Sequence, residues 1–357
     1  MAVFWLRRIA LLICILSFAP LRAQLLTKEQ VGELKIEEVI LKPQLTTVEG
    51  GEGGVSLEAA SVGFLWKMHE HLQAKVKIGS LTLLNRPQIF AESETLDNSI
   101  GFYEAFGKFA SLYGDVRFGL IPVGFGWNGT LSEGDIIMPR PQFMASRWVS
   151  LRDFGVSYDI AYAGFFNRIT AHNGEGVDEN IDNQMWITNN FGWQNGQSFF
   201  VGFSGQTGQT NGDSTGDVDI VDFVGFDNDE WAKWRTGSLY SVVRNKGFST
   251  TLEIIAGERA QKDPTNDKKE ETEQYFSTYW DVMAELNDFN SIWLRYDLFD
   301  PAKSDSEDQV TEVSLGWSIQ NQYKTSTVLM LFTKRLEEPK DLPDDRFTIS
   351  WKIRPYF

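Results

Sequence analysis

The residues able to do chemistry are few. His69 and His71 flank Glu70 in "MHEHL", a grouping that could hold a metal ion but reads more simply as a solvated turn. His172 opens a polar stretch, and the sequence traces no nucleophile or acid to it. A membrane phospholipase or protease would need such a partner. "TNGDSTGDVDIVDFVGFDNDEW" (210–231) gathers Asp213, Asp217, Asp219, Asp222, Asp227, Asp229 and Glu230. Carboxylates this dense suit Ca²⁺, yet their spacing fits no calcium-loop pattern, so a solvated loop is expected. Its apolar insert, Ile220 to Phe226, is odd for a free loop and could fold inward or dock on another subunit. "GFGWNG" (124–129) is glycine-rich without the strand–helix unit of a phosphate loop. No catalytic residue, metal or cofactor is expected.

The first residues bound the compartment. "MAVFWLRRIALLICILSFAPLRAQ" places Arg7 and Arg8 before an apolar run, then Pro20 and Ala23. That is the order of a secretory signal, and the run is too short for a spanning helix. Residues 1–23 are expected to be a cleaved signal peptide, and 24–357 the mature domain. Cys14, the single cysteine, leaves with the signal, so no disulfide or thiolate site remains. Loss of Arg7, Arg8 and Arg22 leaves 30 Lys and Arg (33 less these three) against 49 Asp and Glu, a net charge of −19. Such a balance argues against nucleic acid as a partner.

The elements that position these residues read as strands. "LQAKVKIG" puts Leu72, Ala74, Val76 and Ile78 on one face, with Gln73, Lys75 and Lys77 on the other. "TEVSLGWSI" and "SIWLRYDL" alternate likewise. Period two means two environments across each strand. Tight polar turns follow His69, Asn195, Asn245, Asn287 and Asn321, and longer polar stretches (128–148, 172–183, 206–231, 259–274, 300–309, 336–345) lie between the hairpins. The count is about 16 strands, at 33–45, 56–68, 72–84, 99–110, 113–125, 150–158, 160–170, 184–194, 197–206, 232–244, 247–258, 275–286, 289–299, 309–320, 322–335 and 345–357. Glu37 and Glu38 break the alternation of the first.

An exported chain with no helical span, many alternating strands and abundant aromatics fits an all-β transmembrane antiparallel β-barrel. Short turns at one end and long loops at the other suit it. A soluble sandwich would leave too much apolar surface in water. In a barrel this size the polar parity meets a water-filled lumen. On that parity Lys75, Lys77, Lys108, Arg117, Arg295, Lys352 and Arg354 are candidate pore-lining cations. Glu104, Asp153, Glu253, Asp281, Glu285, Asp297 and Glu312 are the candidate acids. Signs this mixed form opposed patches rather than an anion ladder. Either of two loops could constrict the lumen: 206–231, or 128–148 with Arg140 and Arg147 facing acids across it.

The final strand, "RFTISWKIRPYF", resembles the insertion signal of Gram-negative outer-membrane proteins. The resemblance implies that Trp351, Ile353, Tyr356 and Phe357 belong to an assembly signal read by the barrel-assembly machinery. "GLIPVGFGW" (119–127), "FMASRWVSLRDFGVSYD" (143–159), "YAGFFNRITAHNGEGVDENIDNQ" (162–184) and "LRYDLFDP" (294–301) resemble, in order, segments of the phosphate-selective porin O/P family. That resemblance implies a homotrimer of sixteen-stranded barrels, embedded in outer-membrane lipid and lipopolysaccharide. The expected function is passive diffusion of small polar or ionic solutes with weak or mixed charge selectivity. The alternatives are a phosphate- or anion-selective pore, and a plugged barrel that displays its acidic loops.

Overall fold

The computed structural model describes residues 32–48, 54–80, 100–132, 134–145, 148–149, 151–174, 184–210, 232–263, 266–303, 309–337 and 345–354. Sixteen strands follow one another: β1 (Glu33–Val48), β2 (Gly54–His69), β3 (Leu72–Ser80), β4 (Ile100–Ser111), β5 (Gly114–Pro122), β6 (Arg152–Tyr162), β7 (Phe165–His172) and β8 (Trp186–Asn195). Then come β9 (Phe199–Thr210), β10 (Ala232–Asn245), β11 (Phe248–Asp263), β12 (Asn266–Asn287), β13 (Asn290–Asp300), β14 (Val310–Gln320), β15 (Ser326–Glu337) and β16 (Arg346–Ile353). Each pairs antiparallel with its sequence neighbours, and β16 closes on β1 from Leu41↔Ile353 to Val48↔Arg346. Closure leaves no edge strand, so every ladder is paired on both sides.

Alternation sorts the side chains. On β14, Ser314 and Ser318 are buried inside, while Leu315, Trp317 and Ile319 are exposed outside. The same parity holds on β16, where Ser350 is buried and Phe347 and Trp351 are exposed. The outer wall is therefore apolar across strands of eight to 22 residues. Large aromatic rings crowd the end with the short turns: Tyr113, Tyr162, Phe165 and Tyr323 are all more than 60% exposed. The Trp351 indole N–H donates to Ser326 Oγ at 2.8 Å, which satisfies its polar atom on this face. Rings with an apolar body and a satisfied polar atom suit a membrane–water interface.

Two local departures from the sequence reading have physical causes. In the stretch 259–274, expected as a loop, residues 259–263 and 266–274 instead extend β11 and β12, paired from Arg259↔Glu273 to Asp263↔Asn266. Its charged residues tolerate extension because the ladder satisfies the backbone whatever the side chains are. The break in alternation at Glu37 and Glu38 is a register shift between Ile36 and Glu38. This bulge turns both neighbouring carboxylates toward lysines of β3: Glu37 meets Lys75 at 2.9 Å and Glu38 meets Lys77 at 2.7 Å. Strand β5 also ends at Pro122, short of the expected residue 125.

Candidate functional site

After β5 the chain does not leave the barrel. The described residues between 123 and 151 fold into the lumen. Gly124 and Gly126 adopt φ of +79° and +61°, a left-handed conformation that turns the chain inward. A Cβ on Gly126 would overlap Glu253 Oε1. The glycines of "GFGWNG" thus serve a turn and a close approach.

The wall was built to receive this segment. Thr170 Oγ1 donates to the Val123 carbonyl at 3.2 Å, and Asn190 Nδ2 donates to that of Gly124 at 2.8 Å. The Gly126 N–H donates to Ser204 Oγ at 2.9 Å, and the Trp127 N–H to Glu253 Oε2 at 3.2 Å. Asn128 Nδ2 donates to Tyr279 OH at 2.6 Å, within a 3₁₀ turn at Asn128–Thr130. The segment then reaches the opposite wall. Lys352 Nζ donates to the Gly134 carbonyl at 2.9 Å, and Arg354 pairs with Asp135 at 2.6 Å. Burial raises the Asp135 pKa, but hydrogen bonds from Arg354 and Ser132 and the charges of Arg354 and Lys352 outweigh it and hold the carboxyl below its usual value. On the return, Arg295 donates to the Pro139 carbonyl, the Gln142 N–H to Asp297 Oδ2 at 2.8 Å, and Gln142 Nε2 to Glu312 Oε2 at 2.5 Å.

A one-turn helix, α1 (Gln142–Ala145), delivers Phe143 to an aromatic cluster near the long-loop end. Trp148 lies 4.7 Å from Tyr275, 5.2 Å from Phe299 and 5.3 Å from Trp234, centroid to centroid and edge to face. This cluster fills the β8–β13 side. Against the β1–β7 side, an open space of about 340 Å³ remains between the segment and the wall. Lys75, Lys108, Arg117, Arg152 and Arg168 line it, with Glu37 and Glu104. Most of these charges are paired: Lys75 with Glu104 at 3.1 Å, Arg152 with Glu104 at 3.0 Å, Lys108 with Asp115 at 2.5 Å, and both Arg117 and Arg168 with Asp159.

The residues singled out by parity fall into groups. Lys75, Glu104, Lys108 and Arg117 border the open space. Lys77 is 1% exposed, sealed against Glu38. Glu253, Asp297 and Glu312 point inward but lie buried beneath the infolded segment, which they clamp. Asp281 pairs with Arg295 on the same wall. Lys352 and Arg354 hold the segment's far turn. Glu285 lies exposed beside the turn at Gly247. Arg140 donates to the Asn128 carbonyl at 2.7 Å, bracing its own segment. Arg147, Tyr356, Phe357 and the acidic stretch 211–231 lie outside the described residues, as does the expected signal peptide. Among the described residues no group of His, Cys, Asp and Glu could hold a metal; His69 and His71 sit in an exposed turn.

Sequence reasoning missed one constellation. Asp153 is not open to the lumen. It is fully buried, with Oδ2 2.6 Å from His172 Nδ1, and His172 Nε2 lies 2.9 Å from Thr188 Oγ1. His172 belongs to β7 rather than to a loop start. The three residues stand on different strands, β6, β7 and β8, which is why spacing gave no signal. Their order is that of a catalytic triad, yet they are 0–1% exposed, Gly174 N–H also binds Asp153, and Thr188 donates to Gln206. With no access for a substrate, the arrangement ties three strands together.

No protein-family profile and no curated protein matches the chain. Solved structures do. OmpT, an outer membrane protein of Vibrio cholerae described in a trimer form, superposes with a TM-score of 0.64 at 11% identity, covering 91% of this chain and 100% of that one. The fold is that of the outer-membrane porins. An anion-selective porin from Comamonas acidovorans has a TM-score of 0.59 at 15% identity (91% and 100% covered). The outer membrane channel DcaP of Acinetobacter baumannii has 0.61 at 8% (92% and 99% covered). At such identities the shared property is the porin fold.

Proposed function

We propose that this porin fold works as an outer-membrane channel for passive diffusion of small polar or ionic solutes. One observation carries the reading: a closed barrel with an apolar outer wall encloses a polar lumen, and the infolded segment narrows that lumen without filling it. Such an object needs lipid outside and water inside. Transport would be governed by radius and fixed charge, with no covalent chemistry. Pore-lining roles are proposed for Lys75, Glu104, Lys108 and Arg117, joined by Arg152 and Arg168. The proposed assembly is a homotrimer in outer-membrane lipid and lipopolysaccharide, inserted through the signal in its last strand. Residues 1–23 are proposed to be its signal peptide.

A second reading, mild anion preference, is favoured by the five cations against two acids bordering the open space. The ion pairs that neutralise most of this excess argue for weak selectivity. Strict phosphate selectivity would need unpaired cations in sequence along the path. Planar-bilayer recording tests both. Stepwise conductance supports the channel, and the reversal potential in a KCl gradient reports the sign. A folded barrel that never conducts would overturn the reading in favour of a plugged anchor.

A further inference from the structure

Below the infolded segment, toward the short-turn mouth, lies a cluster that the lumen's ion pairing does not explain. Trp127 hangs from the segment, fixed by its N–H on Glu253. Its ring lies 5.0 Å from that of Phe200 on β9, tilted by 51°, and 6.0 Å from that of Tyr240 on β10. Tyr240 fits flat against the wall because Gly202 has no side chain; a Cβ there would overlap the phenol. The Arg244 guanidinium lies 5.3 Å from the Trp127 centroid and 5.5 Å from that of Phe200.

Arg244 differs from the cations that border the open space. Lys75, Lys108, Arg117 and Arg168 each have a carboxylate within 4 Å. Among the described residues none lies within ion-pairing distance of Arg244. It is exposed, on the inward parity of β10, two residues before the turn at Lys246 and Gly247. A guanidinium held against aromatic rings keeps N–H groups available for a bidentate partner. The half-buried faces of Trp127 and Phe200 beside it suit a flat apolar ring.

We infer that Arg244, Trp127 and Phe200 form a docking site, at the short-turn mouth of the lumen, for solutes that join an anionic group to a planar ring. The inference rests on the channel reading for solute access. An aromatic carboxylate places its carboxylate on Arg244 and its ring against Trp127 and Phe200; an aliphatic carboxylate gains only the first contact.

Benzoate and acetate are the probes, added to each side in turn during bilayer recording, with the folded state of every variant confirmed by its heat-modifiable band. Benzoate is expected to reduce or flicker the current at concentrations where acetate does not. Arg244→Ala and Trp127→Ala should each raise the half-blocking concentration by about tenfold, the loss of one charge-assisted pairing or one stacking face. Arg244→Lys should recover only part, because an ammonium cannot pair in a plane. Equal effects of benzoate and acetate, or benzoate block unchanged in Arg244→Ala, would overturn the site. Calorimetric titration of benzoate into the detergent-folded barrel separates the two claims. A conducting barrel without benzoate binding keeps the channel and removes the site. Binding that depends on Arg244 in a barrel that never conducts does the reverse.

Discussion

Glu38 and Lys77 show how costly charge is handled inside this wall. The pair is 2.7 Å apart, with side chains 5% and 1% exposed. Removing one partner strands the other. Glu38→Gln is therefore expected to cost about 3–5 kcal/mol, read as a lower urea midpoint for unfolding of the detergent-folded barrel. Glu38→Gln with Lys77→Met should recover much of it, and an unchanged midpoint in the single variant would contradict the account. Gly126 makes a backbone demand. At φ +61° and against Glu253, Gly126→Ala should destabilise by about 1–3 kcal/mol and loosen the infolded turn. Asp135 sets a pH response. Its folded pKa lies below the usual 3.8, so its tether to Arg354 is fully present above that value and is lost as pH falls through the lower folded one. Its side chain is half exposed, which keeps the effect small. Current noise from the segment should rise as pH is lowered below about 4, and Asp135→Asn should show the raised noise at neutral pH.

At the scale of elements, the infolded segment is held by hydrogen bonds along both walls and by aromatic anchors, Phe143 and Trp148 among them. Phe143 packs at 5.8 Å on Phe299 and 6.3 Å on Phe125. Phe143→Ala should remove about 3–5 kcal/mol of packing and free the segment locally, so limited proteolysis should cut within 130–148 in the variant while the barrel stays intact. Resistance equal to wild type would show that the polar contacts alone suffice. The strands around this segment were largely legible, since period-two alternation depends only on which side meets water. "TEVSLGWSI" and "LQAKVKIG" declared both faces of β14 and β3. Part of the segment, 128–148, was legible as a candidate constriction from its length and from Arg140 and Arg147. Its docking was not. Glu253, Tyr279 and Asp297 look like ordinary lumen-facing residues until the segment lies on them, and Asp153, His172 and Thr188 meet only through strand register. Neither relation leaves a mark in local spacing.

At the scale of the whole molecule, the barrel divides its lumen unequally. The β8–β13 side is closed at the long-loop end by Trp148, Trp234, Tyr275 and Phe299. The β1–β7 side stays open and bordered by paired charges. The proposed conducting path is the gap between residues 130–132 and the cationic wall, rather than the barrel's full width. If the chain assembles as proposed, native mass measurement in detergent should give three copies, and conductance should appear in triplet steps. The central claim is that residues 123–151 narrow an otherwise open, water-filled barrel. Planar-bilayer recording of the wild type beside a variant lacking residues 131–141 tests it most directly. The account predicts stepwise conductance in the wild type and a larger single-channel conductance in the deletion. A folded wild-type barrel with no conductance, or a deletion that conducts no better than wild type, would contradict it.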